Sequence, residues 1–129
     1  MAGQASESGD WAAWAALFTP EADYYEHAYG HMHGRDQIFT WISGVMGGNT
    51  SMSFPVDWSV IEGDRVVMYQ QMRTADPEGG DAVYQFPAVT ILTYAGNGLF
   101  SYEEDMYNTA EAIEVSKAVA AAQERAAGR

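Results

Sequence analysis

Residues 54–74 read FPVDWSVIEGDRVVMYQQMRT, and this stretch decides the fold. Two runs rich in β-branched and aromatic residues flank Glu62-Gly63-Asp64, which is a strong hairpin signal. The next turn is ADPEGGD at 75–81. After it, AVYQFPAVTILTYAGNGLFSYEEDMYN at 82–108 holds a third turn at Gly96-Asn97-Gly98. Four strand-like segments joined by short turns make a meander.

Upstream the pattern is mixed. Asp10 can cap a helix whose apolar positions are Trp11, Trp14, Ala15, Leu17 and Phe18, with Pro20 ending it. ADYYEHAYGHMHG then reads as a strand, a turn near Gly30 and a short return strand. RDQIFTWISGVM resumes helical spacing through Ile38, Trp41, Ile42 and Val45 and stops at Gly47-Gly48. Downstream, 109–126 is an Ala-rich helix with a narrow stripe of Ala112, Val115, Val119 and Ala122. The order predicts an α+β domain: a curved, mostly antiparallel sheet with helices closing one side. One domain over 1–129 is expected, with a core of about 9–108 and the C-terminal helix beyond it.

Composition narrows the function. Six basic against 18 acidic residues give a net charge of −12, which argues against nucleic acid and anionic membranes and favours neutral or cationic ligands. The absence of cysteine excludes thiolate chemistry and a disulfide framework. MAGQASESGD has no signal-peptide pattern and no apolar run reaches membrane-spanning length, so a cytoplasmic location is expected. Four Trp, eight Tyr and five Phe would supply an aromatic-lined cavity.

SGDWAAWAALFTPEADYYEHAYGHMHGRDQIFTWI, at 8–42, resembles the opening of SnoaL-like proteins of the nuclear transport factor 2-like superfamily. The matching positions are Gly9-Asp10-Trp11, Leu17-Phe18, Glu21-Ala22, Gly30 and Gly34-Arg35-Asp36, and the later hairpins match as well. The resemblance implies a cone-shaped α+β barrel with one deep pocket, commonly a homodimer formed through the outer face of the sheet. Relatives include ketosteroid isomerase, limonene-epoxide hydrolase, scytalone dehydratase, polyketide cyclases and non-catalytic binding proteins. Those relatives usually carry a full helix before the Gly-Asp-Trp, whereas eight residues precede Gly9 here.

The ketosteroid isomerase pattern, laid on this chain, places His27 at the position of the general base, with Tyr25 and Tyr29 on its face. The same register turns Val67, Tyr69, Gln71 and Arg73 inward, then Phe86, Ala88, Thr90 and Leu92, then Glu103, Asp105 and Tyr107. Thr90 stands where the isomerase has its protonated carboxyl, and Arg73 lacks the epoxide hydrolase partners. A His27–Asp105 pair remains, with Tyr25 or Tyr107 as hydroxyl donors, similar to the His, Asp and Tyr of scytalone dehydratase. A carboxylate holding one imidazole nitrogen leaves the other as a base near neutral pH. Glu103 and Arg73 complete the expected polar end, and Trp41, Phe54, Trp58, Tyr69 and Phe86 the apolar walls. His31-Met32-His33 opens like a cupin metal motif, but no later histidine follows, so these two read as a strand edge and no metal is expected.

Two functions follow. The first is a cofactor-free dehydratase, cyclase or isomerase acting on a small hydrophobic neutral molecule. The second is a non-catalytic binding or dimeric interaction module on the same fold. A metal-dependent oxygenase or hydrolase is a third, weaker reading.

Overall fold

The computed structural model describes residues 9–47 and 51–129. Its elements are α1 (Trp11–Ala15), β1 (Phe18–Glu26), β2 (Gly30–His33), α2 (Arg35–Met46), β3 (Met52–Ser53), β4 (Val56–Glu62), β5 (Arg65–Thr74), β6 (Tyr84–Gly96), β7 (Leu99–Met106) and α3 (Thr109–Ala127). The strands form one sheet in the order β2-β1-β7-β6-β5-β3, with β4 also paired to β5. Every pairing is antiparallel except β1 with β7. The predicted α+β architecture with a curved sheet and a C-terminal helix is the one observed.

Local chemistry explains most of the boundaries. Asp10 caps α1, its Oδ1 accepting from the Ala13 amide at 3.0 Å. Asn108 caps α3 in the same way, accepting from the Ala110 and Glu111 amides. Gly47 ends α2 in the left-handed conformation at φ +39°; its sequence neighbour Gly48 lies outside the described residues. Asn97 and Gly98 both have positive φ, +56° and +76°, as the tight Asn-Gly turn between β6 and β7 requires.

Two boundaries differ from the sequence reading. α1 stops at Ala15, and Leu17-Phe18 no longer continues it; Phe18 opens β1. Pro20 therefore lies inside a strand instead of ending a helix. The β1–β7 ladder is interrupted between Phe18 and Asp23, so the missing proline N–H breaks no regular pairing there. The short β3 was also not anticipated.

The core gathers at the β1 end of the sheet. Trp11, Trp14, Phe18, Tyr24, Met32, Ile38 and Ile42 pack there between α1, α2 and the first two strands. Edge-to-face and tilted rings join Trp14 to Phe18 at 5.0 Å and Tyr24 to Trp41 at 5.0 Å. The Arg35 guanidinium donates twice to the Phe18 carbonyl, at 2.9 and 2.6 Å, and so ties the start of α2 to the start of β1. Farther along, the inner residues of β5 and β6 are mostly only half buried, because they face a cavity instead of packed side chains. α3 packs over β6, and Val115, Ser116 and Val119 line that cavity. Glu78, in the β5–β6 turn, holds the far end of α3 through Arg125 at 2.9 Å and through Arg129.

Candidate functional site

The cavity holds about 610 Å³, the size of a typical small-molecule site. Strand alternation chooses its walls. β1 contributes Tyr24 and Glu26; β5 contributes Val66, Met68, Gln70, Met72 and Thr74. β6 contributes Phe86, Ala88, Thr90 and Leu92, and β7 contributes Glu103 and Asp105, with Tyr107 just beyond. Trp11, Trp14, Trp41 and Tyr29 come from the helical side and the β1–β2 turn.

At the polar end, the parallel register sets Tyr24 beside Glu103 and Glu26 beside Asp105. The Tyr24 hydroxyl lies 2.6 Å from Glu103 Oε2 and also contacts Asp105 Oδ2. Thr90, fully buried, donates to Asp105 Oδ1 at 2.8 Å and accepts from Gln70 Nε2 at 2.8 Å. Glu103 and Asp105 are hydrogen-bonded to each other as well. Next to them, Glu26 accepts from the Tyr107 hydroxyl and the Ala28 amide, both at 2.6 Å.

These contacts divide the protons. Burial, then the neighbouring Asp105 charge, push the Glu103 carboxyl well above the usual carboxylate range. Burial raises Asp105 too, but hydrogen bonds from Glu103, Tyr24 and Thr90 oppose that rise. Asp105 is thus the favoured anion and Glu103 the favoured acid. The Tyr24 and Tyr107 hydroxyls are pushed up by burial and then by the carboxylates they touch, so each stays a donor.

The placement of β6 and β7 agrees with the sequence reading, and that of β1 and β5 is shifted by one residue. His27 does not meet the Asp105 side chain. Only its amide reaches Asp105, donating to the backbone carbonyl at 3.2 Å. Its ring lies on the outer face, with Nε2 2.7 Å from Glu104. Tyr25 is outside as well, stacked between His27 at 4.1 Å and His31 at 4.0 Å. Trp58 and Tyr69 stack on each other at 5.6 Å and do not line the cavity. Gln71 donates to Asp57, and Arg73 to Gln85, on that same outer face. Tyr29, Trp41, Phe86, Thr90, Glu103, Asp105 and Tyr107 do line the cavity.

The cause is visible in the sequence. Tyr24-Tyr25, Val66-Val67 and Gln70-Gln71 are near-duplicates, so either register keeps similar residues inside. The discriminating signal is charge. The parity carrying Arg65 and Arg73 faces out, as does the one carrying Asp23 and His27. Ala22 and Tyr24, buried in the core, fix β1. Sequence reasoning thus missed Tyr24, Glu26 and Gln70. His33 sits exposed at the sheet edge beside Asp23 at 2.6 Å, which raises its pKa. Among the described residues no group of three or more His, Asp or Glu is placed to hold a metal ion, and no helix is long and apolar enough to cross a membrane.

Comparison with known proteins places this geometry in context. A putative SnoaL-like polyketide cyclase from Shewanella putrefaciens is similar in structure, with a TM-score of 0.77 and 16% identity over 90% of this chain and 80% of that one. A hypothetical protein with a ketosteroid isomerase-like fold from Catenulispora acidiphila, in complex with trimethylamine, gives 0.72 and 21% over 90% and 89%. TerC co-crystallised with polyporic acid gives 0.71 and 16% over 88% and 91%. At these identities the likeness is one of fold. No curated protein gives a significant sequence match. The SnoaL-like domain model matches residues 3–102, which is most of the chain and includes β1, the four-strand meander up to mid-β7, and the Gly34-Arg35 junction. The chain belongs to the SnoaL-like domain family.

Proposed function

We propose that this protein is an acid–base enzyme of the dehydratase, cyclase or isomerase type, acting on a small, largely apolar molecule. The observation that carries the reading is the Tyr24–Glu103–Asp105 group at the polar end of an otherwise apolar cavity. A base and an acid of separated proton affinity, side by side and away from bulk water, is the arrangement such chemistry needs. In a dehydration, Asp105 takes a proton from carbon while Glu103 gives one to the departing hydroxyl; a C=C bond forms and water leaves. The Asp105 proton then returns to Glu103 through the hydrogen bond the two share, restoring the starting state. In an isomerisation the same pair moves one proton between two carbons. Tyr24 donates to developing oxygen charge or holds Asp105 in place. No step requires a cofactor.

Relatives in fold accommodate trimethylamine in one case and polyporic acid in another, which supports an occupant of small-molecule size. The test is turnover against a panel of neutral and amine-bearing terpenoids, steroids and polyketide-like aromatics. Wild type is compared with Glu103→Gln, Asp105→Asn and Tyr24→Phe. Loss of turnover by roughly 100-fold or more in each is expected. Full activity in Asp105→Asn would refute the reading.

One observation favours the second reading, a binding module without catalysis: Asp105 already accepts from Tyr24, Thr90 and Glu103, so the network is complete without a substrate. The outer face also fits a second copy of the chain. Trp58 and Val60 are about half exposed there beside Val67, Tyr69, Val89 and Ile91, an apolar surface that a homodimer would cover.

A further inference from the structure

The charge balance of the cavity is one-sided. Three carboxyls line it, Glu26, Glu103 and Asp105, and among the described lining residues there is no Lys, Arg or His. Residues 1–8 and 48–50 contain none either. The nearby basic groups are engaged elsewhere: His27 with Glu104, Arg73 with Gln85, and Arg35 with the Phe18 carbonyl. Asp105 and Glu26 are satisfied by neutral donors, namely Tyr24, Thr90 and the Glu103 acid for Asp105, and Tyr107 and the Ala28 amide for Glu26. Hydrogen bonds from neutral donors stabilise a buried anion but do not cancel its charge.

The same end of the cavity is also aromatic: Trp41 packs on Tyr24 at 5.0 Å, and the Tyr29 amide donates to the Glu26 carbonyl. Tyr29 meets Trp41 edge to face at 5.7 Å, with Tyr29 more than half exposed at the open side. Phe86 and Tyr107 lie 5.3 Å apart beside the carboxyls. Ring faces attract an ammonium whose alkyl groups also suit an apolar wall. The net charge of −12 draws cations towards the molecule as a whole.

We infer that the molecule this cavity takes is an organic cation, an alkylated or protonated amine with an apolar body, its nitrogen seated between the Tyr29 and Trp41 rings and the Glu26 and Asp105 carboxylates. This rests on the small-molecule reading of the site given above. The positive charge supplies the counter-ion the wall lacks, and the apolar body occupies the Met, Val and Phe surface of β5 and β6.

The test uses two probes of the same shape, benzyltrimethylammonium and neopentylbenzene, which differ in a positive nitrogen against a neutral carbon. Binding is read from tryptophan fluorescence, since Trp11, Trp14 and Trp41 line the cavity, at constant ionic strength and at pH 5 and pH 8. The groups facing the Glu103 and Asp105 carboxyls are Tyr24 and Glu26 from β1, Gln70 from β5, Thr90 from β6 and Tyr107 after β7. At pH 8, where the raised carboxyls ionise further, the cation should bind at least about tenfold more tightly than its neutral twin, as expected for a desolvated charge contact. That advantage should shrink several-fold at pH 5 and in Asp105→Asn and Glu26→Gln. If a variant fails to fold, the wild-type comparison at two pH values decides. Equal or tighter binding of the neutral probe at pH 8 overturns the amine assignment and leaves the acid–base reading standing. A cation advantage unchanged in both Asp105→Asn and Glu26→Gln overturns it too. Binding of neither probe overturns both.

Discussion

Glu103 and Glu104 are adjacent on β7 and face opposite ways, and their carboxyls are driven in opposite directions. Glu103 is raised by burial and by Asp105, whereas Glu104 is held below its usual range by hydrogen bonds from His27 and Tyr102. The Glu103 contribution to stability is fully present below the ordinary glutamate pKa and is lost as pH rises through its raised value. The Glu104 contribution is present above the ordinary value and is lost as pH falls through its lowered one. Glu103→Gln should therefore raise the melting temperature at pH 8 by about 2–4 °C and leave it little changed at pH 4. Glu104→Gln should cost stability near neutral pH and not in acid. Thermal melts from pH 3 to 9 check both.

Tyr24→Phe keeps the ring in the core and removes the hydroxyl that serves two carboxyls. About 1–3 kcal/mol of stability should be lost, because buried acceptors lose their donor. Turnover should fall by more than the loss in ligand affinity. Urea denaturation measures the first effect and steady-state kinetics the second.

His27→Ala should leave ligand affinity within about twofold of wild type and cost under about 1 kcal/mol, as for a partly exposed ion pair. The side chain meets Glu104 on the outer face, away from the cavity. A large loss of affinity in His27→Ala, measured by the same fluorescence titration, would contradict the register of β1.

The Glu78 clasp on α3 should control access. Glu78→Ala frees Arg125 and Arg129, so amide exchange across 115–127 should accelerate and ligand release should quicken. High salt should mimic the substitution in wild type, since both arginines are mostly exposed and screening weakens such pairs.

Trp58→Lys together with Val60→Lys places two charges in the apolar outer face. If two chains associate there, light scattering should show the dimer of the wild type become a monomer, with cavity binding unchanged.

The fold was legible because its signals are local. The Glu62-Gly63-Asp64 and Asn97-Gly98 turns, the Asp10 cap and the Ala-rich last helix each announce themselves within a few residues. The pocket was half legible. β6 and β7 alternate unambiguously, and Thr90, Glu103 and Asp105 were placed correctly on the inner face. β1 and β5 carry doubled residues, Tyr24-Tyr25 and Gln70-Gln71, whose parity is set by long-range packing of Ala22, Tyr24 and the methionines. The histidine-bearing face of β1 is the outer one, where the His27 ring meets Glu104. Here the distinctive residues are carboxyls whose partner is a tyrosine on a distant strand.

That distance has a consequence for how the molecule comes into being. Tyr24 is 79 residues from Glu103 and 81 from Asp105, and Glu26 is 81 from Tyr107. All three links run through the parallel β1–β7 pairing, the contact that closes the longest loop within the sheet. Such closures come late in folding, because chain entropy opposes them until nearer partners are in place. A ribosome-bound chain that has not yet released β7 has β4, β5 and β6 of the meander and the first helices, but neither Glu103 nor Asp105. The Tyr24–Glu103–Asp105 group therefore forms only once β7 has met β1, and a chain cut before β7 would keep Tyr24 without either of its carboxyl partners.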